Sequence, residues 1–143
     1  MVAAAAPPRT RSVAALAPQL EELNRFLGVF WQEAGLTEEG RLAFELALEE
    51  VFINVVTHGA HPGTSPPHVQ LTLSHEGHRV RMVHADDGIP FDPLAQAAPD
   101  LDADLEHRPV GGLGIFLVRR MMDRVEYRHE AGRNVLCMEK QLP

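Results

Sequence analysis

The stretch from Phe44 to His58 constrains the fold more than any other part of the chain. It reads as the C-terminal part of a helix with apolar residues on nearly every side. Leu42, Leu46 and Ile53 fall on one side, and Phe44, Leu48, Val51 and Val55 on another. A helix apolar all round is expected to be buried, so its few polar residues need a reason to be there. Glu50, Asn54 and His58 stand four apart, which stacks them on one face, each a turn above the last. On a core helix these side chains have two options. They form a ladder ending in His58 at the negative end of the helix dipole, or they point into a polar cavity.

The rest of the chain supplies what such a helix packs against. Leu20, Leu23, Leu27, Phe30, Trp31 and Ala34 follow helical spacing, with Pro18 in the first turn and Gly35 at the exit. Thr37 then offers an N-cap to the second helix, Glu38 and Glu39 suit its first turn, and Gly59 closes it. After a Pro- and Gly-bearing loop, Val69, Leu71 and Leu73 alternate with Gln70, Thr72 and Ser74, as in a half-buried strand. Glu76-Gly77 makes the turn, and Val80, Met82 and His84 alternate along the returning strand. A helix with Ile115, Leu117, Val118, Met121 and Met122 follows the glycines at 111–114, and Val125–His129 pairs with Asn134–Lys140 around Gly132. Arg11–Leu16 is a weaker candidate for a short edge strand. The order implies an α+β fold, a two-layer sandwich with a mixed or antiparallel sheet and helices packed on one face. Residues 1–10 are expected to be a disordered N-terminal segment and residues 11–143 a single domain, with the Ala/Pro/Asp-rich stretch 94–110 a loop long enough to serve as a lid.

Composition narrows the function. A net charge of −7 and a pI near 5.5 argue against a nucleic-acid or anionic-membrane surface. No apolar run approaches a membrane span, the N-terminus lacks the pattern of a signal peptide, and a cytoplasmic protein is expected. Cys137 is the single cysteine, so an intrachain disulfide and a multi-cysteine zinc site are excluded. The eight histidines include His58 and His61 at a helix end and His75 and His78 beside a turn, positions that suit surface or capping roles.

Two further segments carry chemistry. Gly111-Gly112-Leu113-Gly114 precedes a helix, where glycines let backbone N–H groups approach a phosphate, although glycines serve a hinge equally well. Neither a P-loop nor a dinucleotide-binding fingerprint fits these residues. Asp86-Asp87-Gly88-Ile89-Pro90 sits at a strand end. A carboxylate there can accept a hydrogen bond from an exocyclic amine, and Gly88 leaves room for a flat ring. The same residues also form plain turns.

Taken together, a helical Glu-x-x-x-Asn, a strand-terminal Asp-x-Gly, a lid and a Gly-rich helix start resemble the gyrase/histidine-kinase/heat-shock-chaperone ATPase superfamily, from about Pro18 to Leu142. The small size, the block from Gly88 to Pro93, and Gly111 to Val118 running into Met121-Met122-Asp123 look like the anti-sigma-factor serine kinases. The resemblance implies a histidine-kinase-like ATPase fold with ATP and Mg²⁺ as ligands. It also implies a serine/threonine-protein kinase that binds a sigma factor and phosphorylates an anti-sigma-factor antagonist, commonly as a homodimer. Asn54 would hold Mg²⁺, and Glu50 would act as general base on the attacking hydroxyl, a role typically worth roughly 10²–10⁴-fold. Asp86 would read the adenine amine with Gly88 beside it. Gly111, Gly112 and Gly114 would wrap the phosphates under the lid, with Arg108 at the γ-phosphate. Glu49 points about 100° away from Glu50 and is no candidate. Pro90 departs from the wider superfamily, where many members carry a second glycine. It removes a backbone donor near the base. A nucleotide-binding module that sequesters a partner without catalysis is the alternative, with Asn54 and Asp86 binding and Glu50 incidental.

Overall fold

Alternation in the strands and 3.6-residue spacing in the helices are both realised. The computed structural model describes residues 6–95 and 113–143. Its elements are β1 (Arg9–Ala14), α1 (Leu20–Ala34), α2 (Glu38–His58), β2 (His68–Glu76), β3 (Arg79–Asp86), α3 (Leu113–Met121), β4 (Arg124–Glu130) and β5 (Arg133–Gln141). Single 3₁₀ turns stand at Ala17–Gln19 and Pro93–Ala95. The sheet runs β1-β2-β3-β5-β4 with every pairing antiparallel. β1 begins at Arg9, inside the segment expected to be disordered, because Arg9 to Ala14 continue the ladder along β2. Among the described residues no helix is long and apolar enough to cross a membrane.

Period-two alternation puts Val69, Leu71 and Leu73 of β2, Val80, Met82 and His84 of β3, and Leu136 and Met138 of β5 on one face, all buried. Leu23, Leu27, Phe30 and Trp31 of α1, Phe44, Leu48, Val51 and Phe52 of α2, and Ile115 and Val118 of α3 cover that face. Each large side chain so buried contributes roughly 1.5–3 kcal/mol. The opposite face presents Gln70, Thr72, Ser74, Arg81 and Arg128 around a centre of Val83, Ala85, Val135 and Cys137, so the molecule is a two-layer sandwich with helices on one sheet face.

Local signals have specific outcomes. Gly35 ends α1 in the left-handed region at φ 67°, as a C-terminal glycine should. Thr37 stands at the N-cap of α2 with extended backbone, but its side chain makes no capping bond. Its carbonyl accepts the Trp31 indole N–H at 2.7 Å instead. Ala131 and Gly132 both have positive φ, 52° and 76°, and close the β4–β5 hairpin in two residues. Helix α2 is not buried all round: Leu42 is 62% exposed and Ile53 37%. The Phe44–Leu48–Val51–Phe52 side alone meets the sheet, and a residue pattern apolar on both sides cannot say which one does.

Candidate nucleotide site

The C-terminal half of α2 crosses the end of β3, and the polar residues of both converge there. Asp86 is the last residue of β3 and points to the helix side, where it is 5% exposed. Its Oδ1 accepts the Gly88 backbone N–H at 2.9 Å and an Asn134 Nδ2–H at 3.0 Å. Oδ2 makes no hydrogen bond among the described residues. Burial pushes the Asp86 carboxyl above its ordinary value, and the Asn134 and Gly88 bonds pull the other way. Asp87 faces elsewhere: its Oδ1 accepts the His68 N–H at 2.6 Å, which pins the loop to the start of β2.

Gly88 is required for a reason other than room for a ring. A Cβ there would lie 2.7 Å from the Gly59 carbonyl oxygen and 2.9 Å from Asp86 Oδ1. The next residue, Ile89, donates its N–H to that same Gly59 carbonyl at 2.8 Å. The glycine therefore allows the strand-end loop to close on the C-terminus of α2, and Gly88 does not itself line the cavity.

Asn134 went unassigned at the sequence level and is the hub of the site. The β3–β5 register places it opposite Asp86. Besides holding Asp86, Nδ2 donates to the Ile89 carbonyl at 2.9 Å, while Oδ1 accepts from the Phe91 N–H at 3.0 Å and the Tyr127 hydroxyl at 2.5 Å. One carboxamide thus fixes the carboxylate, the loop and β4 together. The only signal for it in the chain is a polar residue heading the apolar run Val135–Met138.

The cavity bounded by these groups measures about 30 Å³. Val51, Asn54, Val55 and His58 reach it from α2, His84 and Asp86 from β3, Ile89, Phe91 and Pro93 from the loop, and Tyr127, Asn134 and Leu136 from the hairpin. His58 stacks at a tilt of 31° on Phe91, with centroids 6.0 Å apart, so its ring forms a rim instead of only facing the helix dipole. Asn54 and His58 therefore do point into the cavity, as the four-residue spacing allowed.

Glu50 lies one turn further back and meets α3. A Cβ built on Gly114 would fall 1.8 Å from Glu50 Oε2, so the bare Cα of this glycine is where the carboxylate rests. A negative group at a helix N-terminus is also favourably placed. Gly111, Gly112, Arg108 and nearly all of the expected lid at 94–110 lie outside the described residues. The remainder, Leu94 and Ala95, belongs to the 3₁₀ turn, and Arg119 of α3 donates to the Leu94 carbonyl at 3.3 Å.

A family model for the histidine kinase-like ATPase domain matches residues 13–140. The chain belongs to that family. Among its relatives is the serine/threonine-protein kinase BtrW of Bordetella bronchiseptica, 34% identical over 100 residues, which are 68% of this chain and 70% of that protein. The serine-protein kinase RsbW of Bacillus cereus is 28% identical over 96 residues, 64% of this chain and 59% of its own length. Among solved structures, the RsbU and RsbW domains of Rv1364c from Mycobacterium tuberculosis superpose with a TM-score of 0.67 at 17% identity, over 96% of this chain and 33% of that one. The catalytic domain of the histidine kinase ThkA gives a TM-score of 0.52 at 13% identity, over 93% and 97%. The α+β architecture described above is thus that of the family's ATPase domains.

Proposed function

We propose that the protein is an ATP- and Mg²⁺-dependent serine/threonine kinase that acts as an anti-sigma regulator. It binds a sigma factor and phosphorylates a hydroxyl of an anti-sigma-factor antagonist. The observation that carries this reading is Asp86, a buried carboxylate with one oxygen locked by Asn134 and Gly88, lining a cavity that Asn54 also lines. Kinase names among its relatives support the reaction class.

The residues present suit the ligands. A buried carboxylate is a strong acceptor for an exocyclic amine, a bond worth about 1.5–3 kcal/mol. Asn54 offers a carboxamide oxygen, the type of donor a hard cation takes. Magnesium, when bound, would neutralise charge on the phosphates. Glu50, on the same face of α2 one turn from Asn54, accepts the proton of the attacking hydroxyl. The hydroxyl oxygen then bonds to the γ-phosphorus, the bond to the β-phosphate oxygen breaks, and ADP leaves. Gly111, Gly112 and Arg108 are assigned to the phosphates. The protein works in the cytoplasm with the sigma factor and the antagonist as partners, and pairs as a homodimer.

Calorimetric titration with ATP, with and without Mg²⁺, tests the site. Wild type is expected to bind, Asp86→Asn to bind at least ten-fold more weakly, and Asn54→Ala to lose only the Mg²⁺-dependent part. Equal ATP affinity in wild type and Asp86→Asn removes Asp86 from the base pocket.

A further inference from the structure

The sheet face turned away from the helices carries a depression of about 390 Å³. Alternation sets its floor: Ala85 and Val135 stand opposite each other on β3 and β5, and Val83 lies two residues before Ala85. None of the three belongs to the core beneath the helices. Ala85 and Val135 are nevertheless only 4% and 6% exposed, so longer side chains rise around them as walls. Gln70, Thr72 and Ser74 of β2 line one side. Arg81 of β3 stands at one end, and Arg128 of β4 and Arg133 of β5 stand at the other. Arg81 is four residues from Ala85, whose row across the sheet continues through Val135 to Arg128. The two cationic ends are therefore roughly 13 Å apart along the strands.

Charge decides what fits there. The lining holds Arg81, Arg128 and Arg133 against Glu130 alone, a net +2 within a chain of net charge −7. Arg81 gives its Nε–H to Cys137 Sγ at 3.1 Å, and Arg133 gives an Nη1–H to the neutral Gln70 Oε1 at 3.0 Å. Arg128 gives its Nε–H to Glu130 at 2.5 Å, and Glu139, the carboxylate beside Arg81, is shared with Arg79. A guanidinium carries several N–H donors in a planar fork, so these three keep donors for an added anion, and a carboxylate matches the fork. We infer that this face docks an extended acidic segment of a partner protein, with carboxylates on the arginines at both ends and a small apolar side chain between them on Val83 and Val135. Over roughly 13 Å an extended chain advances about four residues, which leaves both carboxylates and the apolar residue between them on one side of it. A second copy of this chain fits less well, because a twofold pairing would bring two positive depressions together. A nucleic acid binds best on aromatic platforms, and among the described residues no aromatic side chain lines the depression. The face lies across the sheet from Asp86 and its cavity, so the inference does not depend on the nucleotide reading.

The test is fluorescence anisotropy with a dye-labelled peptide that repeats Glu-Ser-Val-Ser, its Gln-Ser-Val-Ser counterpart and a labelled oligothymidylate. Wild type is expected to bind the glutamate peptide, more weakly as salt rises, and to bind the glutamine peptide at least about ten-fold less tightly. Arg128→Gln and Arg133→Gln together are expected to cost at least about ten-fold in affinity for the glutamate peptide. Arg25→Gln, at an exposed arginine of α1 in the helix layer, is expected to leave that affinity within about two-fold. Equal binding of the glutamate peptide by wild type and the double variant overturns the inference, as does no binding by wild type. Oligothymidylate bound as tightly as the peptide overturns it in favour of a nucleic-acid surface. A wild-type dimer in sedimentation that the double variant dissociates overturns it in favour of a contact between copies. Should the double variant not fold, the two peptides on wild type decide, and equal affinity for both overturns the inference.

Discussion

Replacing Asn134 by alanine isolates the residue that joins the site together. The substitution removes four hydrogen bonds: to Asp86 Oδ1 at 3.0 Å, to the Ile89 carbonyl at 2.9 Å, from the Phe91 N–H at 3.0 Å and from the Tyr127 hydroxyl at 2.5 Å. At about 1 kcal/mol each, full loss would cost about 4 kcal/mol. Ile89, Phe91 and Tyr127 are only half-buried, so water recovers part of this, and about 2–3 kcal/mol of destabilisation is expected. The bond from Asn134 also lowers the Asp86 pKa, so its removal drives that pKa further up. ATP affinity should accordingly fall by about ten-fold at neutral pH and more steeply on acidification. Urea denaturation measures the first effect and calorimetry the second. A double-mutant cycle with Asp86→Asn gives the coupling, expected at about 1 kcal/mol or more. Additive effects of the two changes, or wild-type ATP affinity in Asn134→Ala, would refute the argument that Asn134 positions the carboxylate.

Other outcomes follow from the same geometry. The folded-state pKa of His84 is depressed from 6.5 to about 4, so the unfolded chain binds the extra proton first. Stability should therefore be lost as pH falls across that window, by up to about 3 kcal/mol. Asp86, whose folded pKa is raised, opposes the loss at the acid end, so the measure is the difference in urea midpoint between wild type and His84→Leu at pH 7 and pH 4.5. A parallel shift in both proteins contradicts the assignment. Gly114→Ala must displace the Glu50 carboxylate, since the new Cβ would lie 1.8 Å from Oε2. Phosphotransfer is expected to drop at least ten-fold, and unaltered kcat would separate Glu50 from the chemistry. Gly88→Ala meets backbone as well as side chain, at 2.7 Å from the Gly59 carbonyl, so it should lower the thermal midpoint by several degrees, with no change as the opposing result.

What could be read from residues alone divides along physical lines. Local periodicity was sufficient for α1, α2 and the β2–β3 and β4–β5 hairpins, because each is encoded in neighbours along the chain. The stacking of Asn54 and His58 into a cavity likewise follows from helical spacing. Asn134 was not legible, because its role depends on a register between β3 and β5 that joins residues 48 apart. His84 stood in plain view within the alternation of β3, yet its full burial, with no partner for Nε2 among the described residues, appears only once Phe52 and the sheet close around it. The expectation for α2 failed on Leu42 and Ile53 because hydrophobicity on two sides of a helix does not say which one has a partner. Gly88 was noticed for the right property, a missing side chain, but the space is filled by Gly59.

The kinase reading is tested most directly by transfer of the γ-phosphate from radiolabelled Mg-ATP to a serine or threonine of a candidate antagonist protein, comparing wild type with Glu50→Gln. Glutamine keeps the shape and the hydrogen-bonding reach of Glu50 but cannot take a proton at neutral pH. The account predicts labelled antagonist and stoichiometric ADP with wild type, and a rate lower by roughly two or more orders of magnitude with Glu50→Gln at unchanged ATP affinity. Binding of ATP by wild type with no transfer to any antagonist would contradict it and identify a nucleotide-dependent binding module instead.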